Sequence, residues 1–103
     1  PLIVVEGFFD CMKLWQHGLK RVVALMGSTL SPAQEELIVK HTNCDSQIVL
    51  MLDEDDAGRA GCEKALQCLA PKAFVKAFRF PNEGQQPDQL SADEIHELLT
   101  PLQ

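Results

Sequence analysis

The sequence has few basic residues, no tyrosine and no long apolar run. Its 103 residues include 9 lysines and arginines against 15 aspartates and glutamates, which gives a net charge of −6. A domain this acidic is poorly suited to grip a phosphate backbone unless cations or another domain help. Because tyrosine is absent, a reaction through a covalent tyrosyl intermediate would need a tyrosine from outside this sequence.

Membrane, secretory and zinc-binding patterns are also missing. No apolar run approaches the ~20 residues of a membrane span, and the N-terminus lacks a signal-peptide pattern. The four cysteines form no CxxC pair, so we expect reduced thiols in a cytoplasmic protein with no membrane partner. The length predicts one domain, 1–103. Since the sequence begins at Pro1 and enters a strand-like run at once, we expect this domain to be cut from a longer protein.

Apolar patterning predicts alternating strands and helices. Short runs rich in β-branched and aromatic residues predict strands, and the periodic stretches between them predict helices. The predicted strands span 2–6, 21–25, 47–52 and 73–78, and the predicted helices span 8–18, 28–41, 56–71 and 91–99.

Capping signals support these helices. Ser31 and Gln34 form a predicted capping box with Pro32 at the first helical position, and Ser91 and Glu94 repeat the box. In the first helix, the apolar residues repeat at i, i+3, i+4 and i+7: Phe8, Cys11, Met12 and Trp15. The strand–helix alternation predicts an α/β fold, a doubly wound, mainly parallel four-stranded sheet flanked by helices.

Acidic residues follow three of the four predicted strands. Glu6 follows the first, Asp53 and Asp55 in the segment MLDEDDAGRAG follow the third, and Asp88 lies after the fourth. Ligand sites of such sheets lie beyond the carboxyl ends of the strands, and the first and third strands are often neighbours. Carboxylates gathered there would suit Mg²⁺ or Mn²⁺. The alternative is that the acidic run serves only the dipole of the following helix.

The residues after the acidic run suggest contact with phosphate. Gly58 would let the backbone approach a phosphate near a helix N-terminus, and Arg59 could either meet a phosphate or pair with Glu63. An EF-hand loop starting at Asp53 is excluded, because its twelfth position is Lys64 where a glutamate is required. A haloacid-dehalogenase phosphatase is a weaker alternative. In that class the acidic pair follows the first strand, whereas Asp53 and Asp55 follow the third predicted strand here.

Four motifs in order carry a resemblance to a known family. VVEGFFD, LMGSTLS, LDEDDAGRAG and FPNEGQQPDQL resemble the Toprim domain, which is Rossmann-like, and within it the branch of bacterial and phage DnaG-like DNA primases. The resemblance implies catalytic roles for Glu6, Asp53 and Asp55. It implies metal binding by Glu6, Asp10, Asp53, Asp55 and Asp88, and a turn at Gly27 that brings the chain close to the substrate.

One departure from the primase pattern concerns the late loop. Primases usually have Asp-Pro-Asp there, whereas this sequence has Gln86-Pro87-Asp88, so one expected carboxylate is a neutral amide. Glu54 and Asp56 are extra acids beside the pair and could partly compensate.

The function implied is Mg²⁺-dependent nucleotidyl transfer. The domain would contribute the metal-binding catalytic centre for RNA primer synthesis and be inactive alone. Expected partners are a single-stranded DNA template and nucleoside triphosphates, bound through flanking domains, and a replicative helicase. Two alternatives stay open: a Toprim nuclease or RNA-processing enzyme, and a non-catalytic metal-binding Toprim module.

Overall fold

Strands and helices alternate along the chain in the computed structural model, which describes residues 2–27, 29–42, 47–78, 84, 91 and 93. The strands are β1 (Leu2–Val5), β2 (Val22–Ala24), β3 (Gln47–Leu50) and β4 (Phe74–Ala77). The helices are α1 (Phe8–Gln16), α2 (Pro32–Lys40) and α3 (Asp56–Leu69). The predicted helix over 91–99 and the loop with Asp88 lie outside the described residues, apart from Gly84, Ser91 and Asp93.

All four strands run parallel in one sheet with the order β2-β1-β3-β4. The predicted α/β architecture is confirmed. Val4 of β1 pairs with Leu50 of β3, so the carboxyl ends of these two strands lie side by side. The residues that follow them, Glu6 and Asp53, therefore leave the sheet at the same edge.

Helices cover the sheet on both faces, which explains why β1 and β3 are almost unbroken apolar runs. On one face Leu14 of α1 packs with Ile3 and Val49. On the other face Ile38 of α2 and Leu69 of α3 pack in one cluster with the intervening strand residues. Burial of these apolar side chains is the main stabilising contribution to the fold.

The capping box of α2 forms as predicted. The Ser31 hydroxyl accepts a hydrogen bond from the Gln34 N–H at 3.2 Å, and the Gln34 Oε1 accepts one from the Ser31 N–H at 2.9 Å. The Gln34 amide also donates to the Leu25 carbonyl at 2.9 Å, which ties the start of α2 to the chain after β2.

The apolar stripe predicted for α1 does not face the sheet. Phe8, Met12 and Trp15 are exposed, whereas Asp10 and Leu14 are buried. Asp10 and Leu14 are four residues apart, so they share the helix face that turns inward. Cys11 alone of the predicted stripe packs against the core, so the prediction is wrong for the other three: the inward face includes an acid, and counting apolar positions selects a neighbouring face.

Within the described part of the chain, no helix is both long enough and apolar enough to cross a membrane.

We expect Leu69→Ala to lower the free energy of unfolding by about 2–5 kcal/mol, because the side chain is fully buried and its removal leaves a cavity. The matched control is Leu37→Ala, where the leucine is exposed and a change below about 1 kcal/mol is expected. Urea denaturation measures both. Equal losses for the two variants would contradict the described packing.

Candidate active site

The site lies where β1 and β3 end. The Asp53 N–H donates a hydrogen bond to the Glu6 Oε1 at 3.3 Å, so the chain after β3 holds the glutamate that follows β1. Glu6, Asp10 and Asp53 line one open cavity of about 310 Å³. The predicted meeting of the early glutamate with Asp53 is observed, and the charge of Asp55 adds to the raised pKa of both carboxyls.

A tight turn after β2 fixes the backbone of Glu6. The N–H groups of Met26 and Gly27 both donate to the Glu6 carbonyl, at 2.7 and 3.2 Å. Met26 has a φ of 63°, the left-handed region that a methionine seldom adopts. A residue held there costs roughly 1–3 kcal/mol, so the surrounding structure must enforce it. Gly27 lies in the turn where the sequence predicted it and lines the same cavity.

Asp55 begins α3. Its backbone is extended, and its Oδ1 accepts a hydrogen bond from the Gly58 N–H at 2.7 Å, which makes it the N-cap of the helix. One oxygen of this predicted metal ligand thus serves the helix terminus. The alternative interpretation of the acidic run, that it serves the terminus of the following helix, is thus observed for Asp55.

Arg59 forms ion pairs with the two remaining acids of the run, Glu54 and Asp56. Its Nη1 lies 3.3 Å from the Glu54 Oε2, and its Nη2 lies 2.8 Å from the Asp56 Oδ1. Glu54 is only 6 % exposed, so its charge has to be paired to be tolerated. Of the two sequence alternatives for Arg59, the ion pair forms, but with Glu54 and Asp56 as partners instead of Glu63. A phosphate contact by Arg59 stays a prediction.

Gly58 brings the first turn of α3 against the ends of both strands. A Cβ at this position would collide with the Asp53 carbonyl and lie 2.8 Å from the Glu6 Oε1. Its amide is engaged with Asp55. Gly58 therefore has a packing role that the sequence interpretation did not anticipate, and its predicted contact with a phosphate stays a prediction.

The gathered carboxylates perturb one another. Burial, followed by the charges of Glu6, Asp10 and Asp55, raises the pKa of Asp53 from 3.8 to about 7. Burial is also the largest cause that raises the pKa of Glu6, with Asp55 and Asp10 adding to it and the Asp53 N–H opposing it. The site thus holds negative charge at a cost to the fold, which is typical of functional sites.

This arrangement suits a divalent cation. The Asp53 Oδ1 is buried and accepts no hydrogen bond among the described residues, and hard carboxylate oxygens are the donors that Mg²⁺ and Mn²⁺ prefer. No three acidic, histidine or cysteine side chains of the described ranges already converge on one point as a metal cage. Mg²⁺ commonly takes only one or two carboxylates and completes its shell with water and substrate phosphates.

Three of the five predicted metal ligands, Glu6, Asp10 and Asp53, thus line one cavity, and the charge of Asp55 contributes to the raised pKa of Glu6 and of Asp53. The fifth, Asp88, lies outside the described residues, as does Gln86. Glu54 and Asp56 do not join the cluster but pair with Arg59.

Comparison with known proteins agrees with this geometry. A model of the Toprim-like family matches residues 3–91, nearly the whole chain. The chain belongs to the Toprim-like family.

The relatives of this Toprim-like domain are DNA primases. It is 34% identical over 89 residues to the DNA primase of Clostridium acetobutylicum, covering 85% of this chain and 14% of that protein. It is 36% identical over 97 residues to the DNA primase of Legionella pneumophila, covering 90% of this chain and 16% of that protein. The chain therefore spans about a sixth of the length of the curated relatives it matches.

Solved primase structures share the fold. The zinc-binding and RNA polymerase domains of the Aquifex aeolicus primase superpose with a TM-score of 0.81 at 31% identity, over 97% of this chain and 25% of that one. A DnaG primase catalytic domain bound to single-stranded DNA superposes with a TM-score of 0.78 at 26% identity, over 97% of this chain and 33% of that one.

Asp53→Asn should stabilise the metal-free domain at alkaline pH. Because folding raises the pKa of Asp53 to about 7 from 3.8, its ionised form destabilises the fold progressively as pH rises through about 7, and not at all below 3.8. We expect a gain of about 1–2 kcal/mol at pH 8, reduced from the full value because solvent screens the site, and no gain near pH 3.5. Thermal unfolding at both pH values measures it.

The control is Asp56→Asn, whose side chain is fully exposed and paired with Arg59. We expect no stabilisation from it at either pH. A gain of the same size as for Asp53→Asn would show that relief of general negative charge, and not the site, is responsible.

Gly58→Ala should destabilise the domain by about 2 kcal/mol or more, because the added methyl group meets backbone as well as Glu6. Gly7→Ala is the control, since a Cβ there lies 3.4 Å from the Asp10 Oδ2, an ordinary contact. Chemical denaturation compares the two variants. A harmless Gly58→Ala would rule out the close packing of α3 on the strand ends.

Proposed function

We propose that this Toprim-like domain is the metal-binding catalytic centre of a DNA primase and supports nucleotidyl transfer during synthesis of RNA primers. The observation that carries the proposal is the cavity shared by Glu6, Asp10 and Asp53 at one sheet edge, where the buried Asp53 Oδ1 has no hydrogen-bond partner among the described residues. The similarity to primases over nearly the whole chain supports the same function.

Mg²⁺ or Mn²⁺ would be held by Asp53 and Asp55, with Glu6 and Asp10 beside them. When bound, such cations stabilise the charge that develops on phosphate oxygens during phosphoryl transfer and make a hydroxyl a better nucleophile. They would also let a domain with a net charge of −6 accept the phosphates of a nucleotide.

The residues of the chain position these groups. The Asp53 N–H orients the Glu6 carboxyl, and the Met26–Gly27 turn fixes the Glu6 backbone. The glutamate is therefore held by the segments that follow β3 and β2. Burial raises the pKa of Glu6, and a shift in this direction is typical of carboxyls that exchange protons in active sites. Asp55 is held in place by its bond to the Gly58 N–H.

The remainder of the reaction would depend on other parts of the protein. An acidic domain supplies little attraction for a template, so flanking domains would bind the single-stranded DNA and help to bind the nucleoside triphosphates. The relative solved with single-stranded DNA supports a template of this kind. A replicative helicase is a further proposed partner.

Primer synthesis by the full-length protein tests the proposal. Glu6→Gln and Asp53→Asn should each lower the rate on a single-stranded template by roughly 100-fold or more, since each removes a charge that acts on the reacting groups. Asp56→Asn, which changes a neighbouring acid outside the cluster, should stay near the wild-type rate. Wild-type rates in both site variants would contradict the proposal, and template cleavage without synthesis would favour a nuclease.

Paramagnetic Mn²⁺ tests the metal site without depending on activity. Broadening of amide NMR signals should centre on residues 6, 10, 53 and 55 at low Mn²⁺ and should be reduced in Asp53→Asn. Broadening spread evenly over all surface acids would exclude a site at this sheet edge.

A further inference from the structure

The cavity that holds the acids has a second, apolar side. Phe8 and Phe9 at the start of α1, together with Met26, line the same cavity as Glu6 and Asp53. Phe9 is 74% exposed and Met26 is 71% exposed, although both side chains would gain free energy from burial. We refer to Phe8, Phe9 and Met26 as the apolar ledge.

The apolar ledge is fixed in place. The Phe8 and Phe9 rings meet edge to face, with centroids 6.1 Å apart and an interplanar angle of 67°, so the first ring supports the second. Met26, which lines the same cavity, has a left-handed backbone, and its N–H donates to the Glu6 carbonyl at 2.7 Å. The Glu6 carbonyl thus links the residue that supplies a carboxylate to Met26 of the apolar ledge.

The dimensions and chemistry of the cavity fit one class of ligand. Its volume of about 310 Å³ lies at the small end of the range for small-molecule sites, about 300–1,000 Å³. Its lining includes carboxylates, which need a cation before they can accept an anion. It also includes two exposed aromatic rings, on which any nucleobase can stack. A nucleotide has both parts, a charged phosphate chain and a flat base.

We propose that the apolar ledge binds the base of a nucleoside triphosphate, with Phe9 as the stacking surface and Met26 as the opposing contact, while the phosphates lie toward Glu6 and Asp53. The proposal rests on the proposed function, since it places the phosphates at the cation site. It assigns to Phe9 and Met26 a role in substrate binding. Stacking does not distinguish sequences, so all four bases should bind, purines more tightly.

Binding of two ligands to the full-length protein in Mg²⁺ tests the proposal: ATP, and inorganic tripolyphosphate, which has the phosphates without the base. We expect Phe9→Ala to weaken ATP binding roughly tenfold, the scale of one base stacked on one aromatic ring, and to leave tripolyphosphate binding unchanged. Phe9→Trp should restore ATP binding. Met26→Gly, which suits the left-handed backbone, should also weaken ATP binding alone. Isothermal titration calorimetry measures each affinity.

Phe74→Ala is the matched control, because Phe74 is 68% exposed and lies at the start of β4, at the opposite end of the sheet. It should leave both affinities unchanged. Unchanged ATP binding in Phe9→Ala, or equal weakening of both ligands, would overturn the apolar ledge as a base site. Lower stability of Phe9→Ala with unchanged ATP binding would show that another part of the protein covers the ledge, and would also overturn it.

The same binding experiments distinguish a failure of the proposed function from a failure of the ledge proposal alone. If neither ATP nor tripolyphosphate binds the wild-type protein more tightly with Mg²⁺ than without it, the cation site itself is wrong, and the ledge proposal fails with it. If both bind in a Mg²⁺-dependent way and Phe9→Ala does not discriminate between them, only the ledge proposal fails.

Discussion

Repulsion among carboxylates at the ends of β1 and β3 is the constraint on which the rest of the site depends. Four acids in a row, Asp53 to Asp56, follow β3, and the fold separates them into two groups. Asp53 and Asp55 meet Glu6 and Asp10, while Glu54 and Asp56 pair with Arg59. One arginine thus pairs with Glu54 and Asp56, the two acids of the run that stay outside the cluster. The surplus of negative charge at one place is what suits the site to a divalent metal.

The fold tolerates this repulsion because neighbouring contacts hold each acid in place. Parallel pairing of β1 with β3 sets Glu6 beside Asp53, and the absence of a side chain at Gly58 lets α3 pack directly on both. Asp55 is fixed as the N-cap of that helix. Two apolar clusters, one on each face of the sheet, stabilise the fold. Their contribution offsets the repulsion among the carboxylates at the site. The packed strands and helices thus hold a sheet edge that is locally unfavourable in the absence of a cation.

Much of this could be predicted from the sequence. Unbroken apolar runs separated by periodic stretches indicate a parallel sheet, and acids after the first and third runs indicate a site where those strands end. Capping residues such as Ser31 and Gln34 act locally, so the α2 box could be predicted too. The pairing of Arg59 with Glu54 could not, because it depends on how the turn before α3 folds. The inward turn of Asp10 and the left-handed Met26 were missed for the same reason: each is set by tertiary contacts that no local pattern encodes.

The central claim is that folding buries Asp53 and brings the other carboxylates close to it, and that both effects raise its pKa. Carboxyl ¹³C NMR of the metal-free protein, recorded as a function of pH, measures it directly. The Asp53 signal should titrate near pH 7 and shift to a much lower pH when Mg²⁺ is added. Titration near pH 4 in the metal-free protein, unaffected by Mg²⁺, would contradict the account.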